Sequence, residues 1–260
     1  MTAPATYIYC IVSSRRPLQT THAQGGLPGA GPIRSLEIHP GRYLVVSDAP
    51  LAEFGETPLA AKLSDLEWVS RAAVAHEAVN ESFMSADAVV PMKLFTLFTS
   101  DDRALQQIRS GWKRVEGVIK RLNNSDEWGV RLVFDPSTSL RASSSTARED
   151  QTSAAKSGRD YLVAKRQVHR ASTKQSTDMR KVAGEVLKSL RPMSRGVKKR
   201  AVTAPQESRS RLLLDAAFLV PRARAARFRK SVESRAKQIA PAGYALQLSG
   251  PWPPYSFVES

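Results

Sequence analysis

The run Tyr244-Ala245-Leu246-Gln247-Leu248-Ser249 passes without a break into Gly250-Pro251-Trp252-Pro253-Pro254-Tyr255-Ser256-Phe257. The first six residues alternate, which is the period of a strand with one buried face. Three prolines then fix φ and withhold backbone donors, so the chain is expected to leave the sheet as a stiff, extended tail. Such a tail loses little entropy on ordering. Trp252, Tyr255 and Phe257 supply three large anchors. These rings either pack on the molecule's own surface, clamping the tail, or offer a docking surface to a partner; clamping is the expected arrangement.

Upstream of this ending, Arg211–Val220 reads as a strand, and Pro221 suits the first turn of a helix that continues to Ile239. Phe228, Val232 and Ile239 form the apolar side of that helix, and Arg222, Arg224, Arg227, Arg229, Lys230, Arg235 and Lys237 crowd the rest. Before it, a long polar helix is predicted from about Asp160, with Met179, Val182, Val186, Leu187 and Leu190 among its apolar positions. It ends at Arg191-Pro192, because proline disfavours α geometry in the residue before it. Residues 192–209 hold Lys198-Lys199-Arg200 among small polar residues and are expected to form a mobile basic loop. Residues 136–156 are rich in Ser and Thr and read as a linker or a frayed helix start.

Charge divides the chain in the same place. Residues 1–135 carry 14 Lys/Arg and 15 Asp/Glu, whereas residues 136–260 carry 25 and 9, so the net charge of +15 belongs to the second half. Two domains with different surfaces are expected: an α+β domain over 1–135, and a basic α+β domain with long helices over 157–260 that includes the tail. A field of this size attracts nucleic acid, an anionic membrane or an acidic protein. No apolar run approaches the roughly 20 residues of a membrane span. The single cysteine, Cys10, excludes an intramolecular disulfide framework or a zinc ribbon. A cytoplasmic protein is the default expectation.

In the first half, Tyr7–Val12 reads as a buried strand, followed by a loop dense in glycine and proline. Ile33–Ile38 and Tyr43–Ser47 flank Pro40-Gly41 as a hairpin. One helix is predicted over 59–83, a strand over Val89–Phe98 containing Pro91, a second helix from Ser100 to Leu122, and a strand over Glu127–Asp135. Proline cannot donate to a ladder, so Pro91 is expected at an edge, a bulge or a strand start. The order describes an α+β sandwich resembling an elaborated ferredoxin-like unit, with helices on one face of the sheet.

Candidate chemistry is sparse. His76-Glu77 lacks the second His at i+4 of a zinc-protease helix, since position 80 is Asn80. A helix-face His bonded to a neighbouring element is the expected state. Cys10 lies inside an apolar strand and is expected to be buried and inert. Gly25–Gly31 is interrupted by proline and leads into a strand, unlike a phosphate loop. No catalytic, metal or cofactor-binding residue is assigned. The basic helix suits phosphate contacts, but its one aromatic, Phe228, is assigned to the core, and single-strand binders interleave stacking rings with their charge. A basic nucleic-acid-binding module is therefore the alternative reading.

Several segments, in order, resemble the gas vesicle protein F/L family (GvpF/GvpL): Tyr7-Ile8-Tyr9, Gly26-Leu27-Pro28-Gly29, Ala75-His76-Glu77, Pro91 to Phe98, Glu127-Trp128-Gly129-Val130, Ser157 to Leu162, Ala217 to Val220, and Gly250 to Phe257. Two positions depart from the pattern of that family: Lys93 stands where it usually has Arg, and Phe95 where it usually has Gly. The resemblance implies two α+β domains, no cofactor and no catalytic residues. It also implies an accessory or minor structural role in which the small hydrophobic shell protein, with other accessory proteins, is the partner during nucleation and assembly. The protein would then sit in the cytoplasm, associated with the gas vesicle. Pro91, Lys93, Phe95, Gly250, Pro251, Trp252, Pro253, Pro254, Tyr255 and Phe257 are the motif positions expected to matter for interaction.

Overall fold

A computed structural model describes residues 4–21, 23, 25–135, 158–201 and 210–258. The chain forms two compact units, one of Met1–Glu127 with Pro251–Ser260 and the other of Trp128–Gly250. This differs from the expected boundary at 135 with the tail in the basic domain: the tail belongs to the first unit. The expected linker, 136–156, lies outside the described residues.

The first unit is built on β1 (Ala5–Ser13), β2 (Arg34–His39), β3 (Arg42–Ala49), β4 (Ala88–Pro91) and β5 (Leu97–Phe98). The order is β2-β3-β1-β4, with β4 paired to Cys10–Ser13 of β1 and β5 paired to Thr6 and Tyr7 nearer its start. The pairings of β1 with β3, β4 and β5, and of β2 with β3, are antiparallel. All nine residues of β1 are buried, so both faces of the sheet are covered. A bulge between Ile8 and Cys10 shifts the register against β3. That shift explains why Tyr7, Tyr9, Cys10 and Val12 share one core cluster despite the strand's period of two.

Two predicted helices are each divided. The helix expected over 59–83 is α2 (Glu56–Leu63) and α3 (Leu66–Ser82), and a short α1 (Leu51–Phe54) that was not expected precedes them. Asp65 begins α3 as its N-cap, its carboxylate accepting from the backbone N–H of Glu67 and Trp68. Trp68, Ala72 and Val79 of α3 join the cluster of Tyr7 and Tyr9. The second is α4 (Asp101–Ser110) and α5 (Trp112–Leu122), separated at Gly111. Ser100 caps α4 through the Arg103 N–H.

In the second unit the sheet order is β7-β8-β6-β9, from β6 (Ser125–Phe134), β7 (Gly196–Lys199), β8 (Arg211–Pro221) and β9 (Tyr244–Trp252). The even-numbered residues of β6 and β8, from Trp128 to Phe134 and from Leu214 to Val220, face one core. Against them pack α6 (Gly158–Leu190), through Met179, Val186 and Leu190, and α7 (Ala225–Ile239), through Phe228, Val232 and Ile239. Part of the expected mobile loop is ordered: β7 occupies Gly196–Lys199, paired antiparallel with Ala216–Leu219, and 202–209 lie outside the described residues. Strand β9 continues through Pro251 to Trp252 rather than stopping at Ser249. It lies at the sheet edge, where a residue without an N–H is tolerated.

Candidate functional site

The tail turns back into the first unit at Gly250, whose φ of 106° suits glycine and strains any other residue. Pro253, Pro254 and Phe257 are buried, and a single 3₁₀ turn spans Tyr255–Phe257. Polar bonds from Glu127 and Arg121 help to hold it. The Glu127 carboxylate accepts from the Ser256 N–H at 2.8 Å and the Ser256 hydroxyl at 2.7 Å. The Arg121 guanidinium donates to the Phe257 carbonyl at 2.6 Å. Of the three anchor rings, Phe257 is 4% exposed, Tyr255 38% and Trp252 41%. The tail is thus a clamp with two partly open rings. One residue before it, the Ser249 hydroxyl lies 2.5 Å from where a Cβ would stand at Gly129, so a side chain there would require that hydroxyl to turn away.

Tyr255 reaches α3. Its hydroxyl accepts from the Asn80 amide at 2.6 Å and donates to the Glu77 carboxylate. Burial raises the Tyr255 pKa, and the bond to Glu77 raises it further, so the phenol stays protonated. Burial likewise pushes the Glu77 carboxyl up, with the Tyr255 bond opposing. On the residue before Glu77, His76 Nε2–H donates to the Met92 carbonyl at 3.1 Å, and Nδ1 accepts the Tyr7 hydroxyl at 2.7 Å. Burial lowers the pKa of His76 to about 4, so the ring is neutral. This is the helix-face histidine bonded to neighbouring elements that the sequence predicts.

The predicted strand over Val89–Phe98 is broken. After Pro91 the Met92 N–H still donates to the Tyr9 carbonyl at 2.9 Å, and the Ile8 N–H donates to the Thr96 carbonyl at 2.9 Å. Between them Lys93–Thr96 forms a turn closed by the Thr96 N–H and hydroxyl on the Lys93 carbonyl. Phe95 has φ 63° at the third position of that turn, where glycine is favoured. This gives the glycine of the family pattern a physical reason. The Phe95 ring stacks on Trp68, centroids 5.5 Å apart and planes 9° from parallel. The Phe95 N–H points to the Tyr7 hydroxyl at 3.4 Å. Pro91 therefore ends an edge strand shortly before this turn.

These pieces surround a cavity of about 340 Å³, lined mainly by apolar groups of Ala73, Pro91, Met92, Leu94 and Val258, with His76, Glu77, Lys93 and Tyr255 contributing. Both imidazole nitrogens are engaged and the Glu77 carboxyl is bonded, so the cavity presents hydrocarbon rather than a free base or nucleophile. Cys10 is fully buried, and burial drives its thiol pKa up. Among the described residues no three His, Cys, Asp or Glu side chains gather so as to hold a metal. No described helix is long and apolar enough to cross a membrane.

Of the residues singled out from sequence, Pro91, Lys93 and Tyr255 meet at this cavity, Phe95 completes the turn behind it, and Pro253, Pro254 and Phe257 anchor the tail. Gly250, Pro251 and Trp252 lie on β9 and do not line it. Asn80, Glu127, Arg121 and Tyr7 were not foreseen as fixing residues. Their partners are 175, 129, 136 and 69 positions away in sequence, a separation that no local pattern signals.

Known proteins agree with this architecture. Residues 5–259 match the model of the family described as gas vesicle synthesis protein GvpL/GvpF. Gas vesicle protein L of Streptomyces sp. (strain CB03234) is 29% identical over 256 residues, covering 96% of this chain and 91% of that protein. Among solved structures, the gas vesicle protein GvpF from Anabaena sp. PCC7120 superposes with a TM-score of 0.68 at 16% identity, covering 99% of this chain and 97% of that one. GvpF from Microcystis aeruginosa superposes with 0.66 at 16% identity, covering 98% and 99%. With the family match running along almost its whole length, the chain belongs to the gas vesicle GvpL/GvpF family.

Proposed function

We propose that this protein is a non-catalytic accessory or minor structural component of gas vesicle assembly. In this reading it binds the small hydrophobic shell protein and supports nucleation, in the cytoplasm and at the growing vesicle. The observation that carries the reading is the apolar cavity beside the clamped tail. Its volume of about 340 Å³ suits one or two apolar side chains of a partner, and Met92 and Leu94 on its wall are only half buried. Helix α3 adds Leu66 and Val74 to the exposed apolar surface of the same unit. An aggregation-prone partner needs such cover only transiently, which a shallow apolar site with a polar rim supplies.

Co-expression with the shell protein, followed by affinity capture of this chain, tests the reading. Wild type should retain the shell protein, and Met92→Asp with Leu94→Asp should lose it while keeping wild-type circular dichroism and gel-filtration behaviour. Failure of wild type to retain the shell protein would overturn the proposal, as would undiminished retention by the folded double variant.

A further inference from the structure

The second unit carries an open surface of different chemistry. Between the C-terminal part of α6 and strand β7 lies a groove of about 510 Å³. Leu187, Pro192 and Val197 give it an apolar floor, and Lys188, Arg191 and Lys199 give it a cationic rim. All three cations are exposed, and among the described residues none of them forms an ion pair. Position at a helix C-terminus accounts for Lys188 and Arg191. It does not account for Lys199, which comes from the sheet. The neighbouring carboxylate on this part of α6, Glu185, is engaged by Arg235 at 2.5 Å.

Gly184 adds an independent observation. It sits inside a helix, where glycine costs about 1 kcal/mol relative to alanine. It is exposed, and a Cβ added there would meet nothing within 4 Å. Among the described residues no neighbour requires the missing side chain. Gly184 lines the groove and also an adjoining cavity of about 390 Å³, which shares Leu187 and Lys199 with it and extends along α6 to Ser176. The trough from Ser176 to Pro192 is therefore roughly 24 Å long, or between four and five helical turns.

We infer that this trough docks an acidic amphipathic helix of a partner protein, with its apolar stripe on Leu187 and Val197, its carboxylates against Lys188, Arg191 and Lys199, and its backbone passing close over Gly184. An apolar floor distinguishes this occupant from a nucleic acid or another plain polyanion, which would need the rim alone. The close approach at Gly184 selects a regular backbone over a mobile acidic tail, in the way small residues let helices meet. The inference does not depend on shell-protein binding, and its test does not involve that protein.

The test uses the whole chain and a labelled peptide of about 18 residues, long enough to fill the trough, with Leu at helical spacing on one face and Glu on its flanks. Fluorescence anisotropy is read near physiological ionic strength, where the Debye length is about 8 Å. The striped acidic peptide should bind, and a scrambled peptide of identical composition should bind about tenfold more weakly, a difference of about 1.4 kcal/mol. A version with Lys in place of Glu should not bind. Gly184→Leu, which improves helix propensity, should weaken binding about tenfold with thermal stability equal to or above wild type, and Lys188→Glu with Lys199→Glu should abolish it. Equal binding of striped and scrambled peptides would make the trough a plain polyanion site and overturn the inference. So would no binding of the striped peptide, no effect of Gly184→Leu, or a change in sedimentation showing that this variant breaks a dimer, since the occupant would then be a second copy.

Discussion

Phe95 combines a left-handed backbone with a stacked ring, and the two have opposite energetic signs. The positive φ costs about 1–2 kcal/mol in a non-glycine residue. The stack on Trp68 contributes about 0.5–1.5 kcal/mol beyond the burial of the ring, and half-burying a large ring contributes about as much again. Glycine also adds freedom to the unfolded chain. Phe95→Gly should therefore destabilise by about 1 kcal/mol in the wild type, but be neutral or stabilising when Trp68 is already Ala. Urea midpoints for the four members of this cycle decide it. Equal effects in both backgrounds would show that the stack contributes nothing.

His76 makes a second prediction at this scale. Its folded pKa, about 4, lies below the unfolded value near 6.5, so the unfolded chain takes up the proton first as pH falls. The contribution is present in full above pH 6.5 and is lost down to about pH 4; by pH 5 the loss is about 2 kcal/mol. Glu77 works in the opposite direction, because its raised pKa favours the protonated folded form in acid. The informative measurement is thus the difference between wild type and His76→Gln in denaturant midpoints at neutral pH and pH 5. The variant should lose about 2 kcal/mol less than the wild type over that interval, and parallel curves would refute the assignment of a neutral buried ring.

At the scale of elements, breaks in helices were harder to read than the helices themselves. Periodicity carried the reading across Ser64-Asp65 and Gly111, because the apolar spacing continues on both sides. Asp65 is the legible signal: an acid at an N-cap, two residues before another acid in the first turn. Asp65→Ala should cost about 1 kcal/mol in thermal or urea unfolding. Of the edge, bulge or strand start that proline at position 91 indicates, the edge is what the sheet shows, but the turn that follows takes Phe95 where a glycine would have marked it, and the sequence reads there as continuous strand. The tail was legible as stiff and aromatic. Its fixing by Glu127 was not, because the two segments meet only in the folded chain. Removing that carboxylate with Glu127→Ala deletes two charge-assisted bonds, worth about 1.5–3 kcal/mol each at most. Hydrogen exchange at the Ser256 amide should accelerate far more than exchange in β1, whereas equal protection in both proteins would show that the clamp is held by Phe257 and the prolines alone.

For the whole molecule, charge and composition divided the chain near the place where its two units divide, but they could not show that residues after Gly250 return to the first unit. The positive half also raised the nucleic-acid alternative. Phe228, the one aromatic of α7, is fully buried, so among the described residues that helix has no ring on which a base could stack. A single-stranded oligonucleotide should accordingly bind only at low ionic strength, its association falling steeply with added salt. A complex that survives about 0.15 M salt in a gel shift would reverse this expectation.

The return of the chain to its first unit has a consequence for synthesis. Residues 251–258, including Tyr255 and Phe257, are translated only after all of Trp128–Gly250. Domains commonly fold in order as they emerge from the ribosome, but here the earlier unit stays unfinished until the later one has been made. A product interrupted inside the basic unit would have neither the wall that Tyr255 and Val258 give the cavity nor the clamp on Glu127. The complete wall of that cavity therefore exists only in a chain translated through Tyr255–Phe257 and on to Val258.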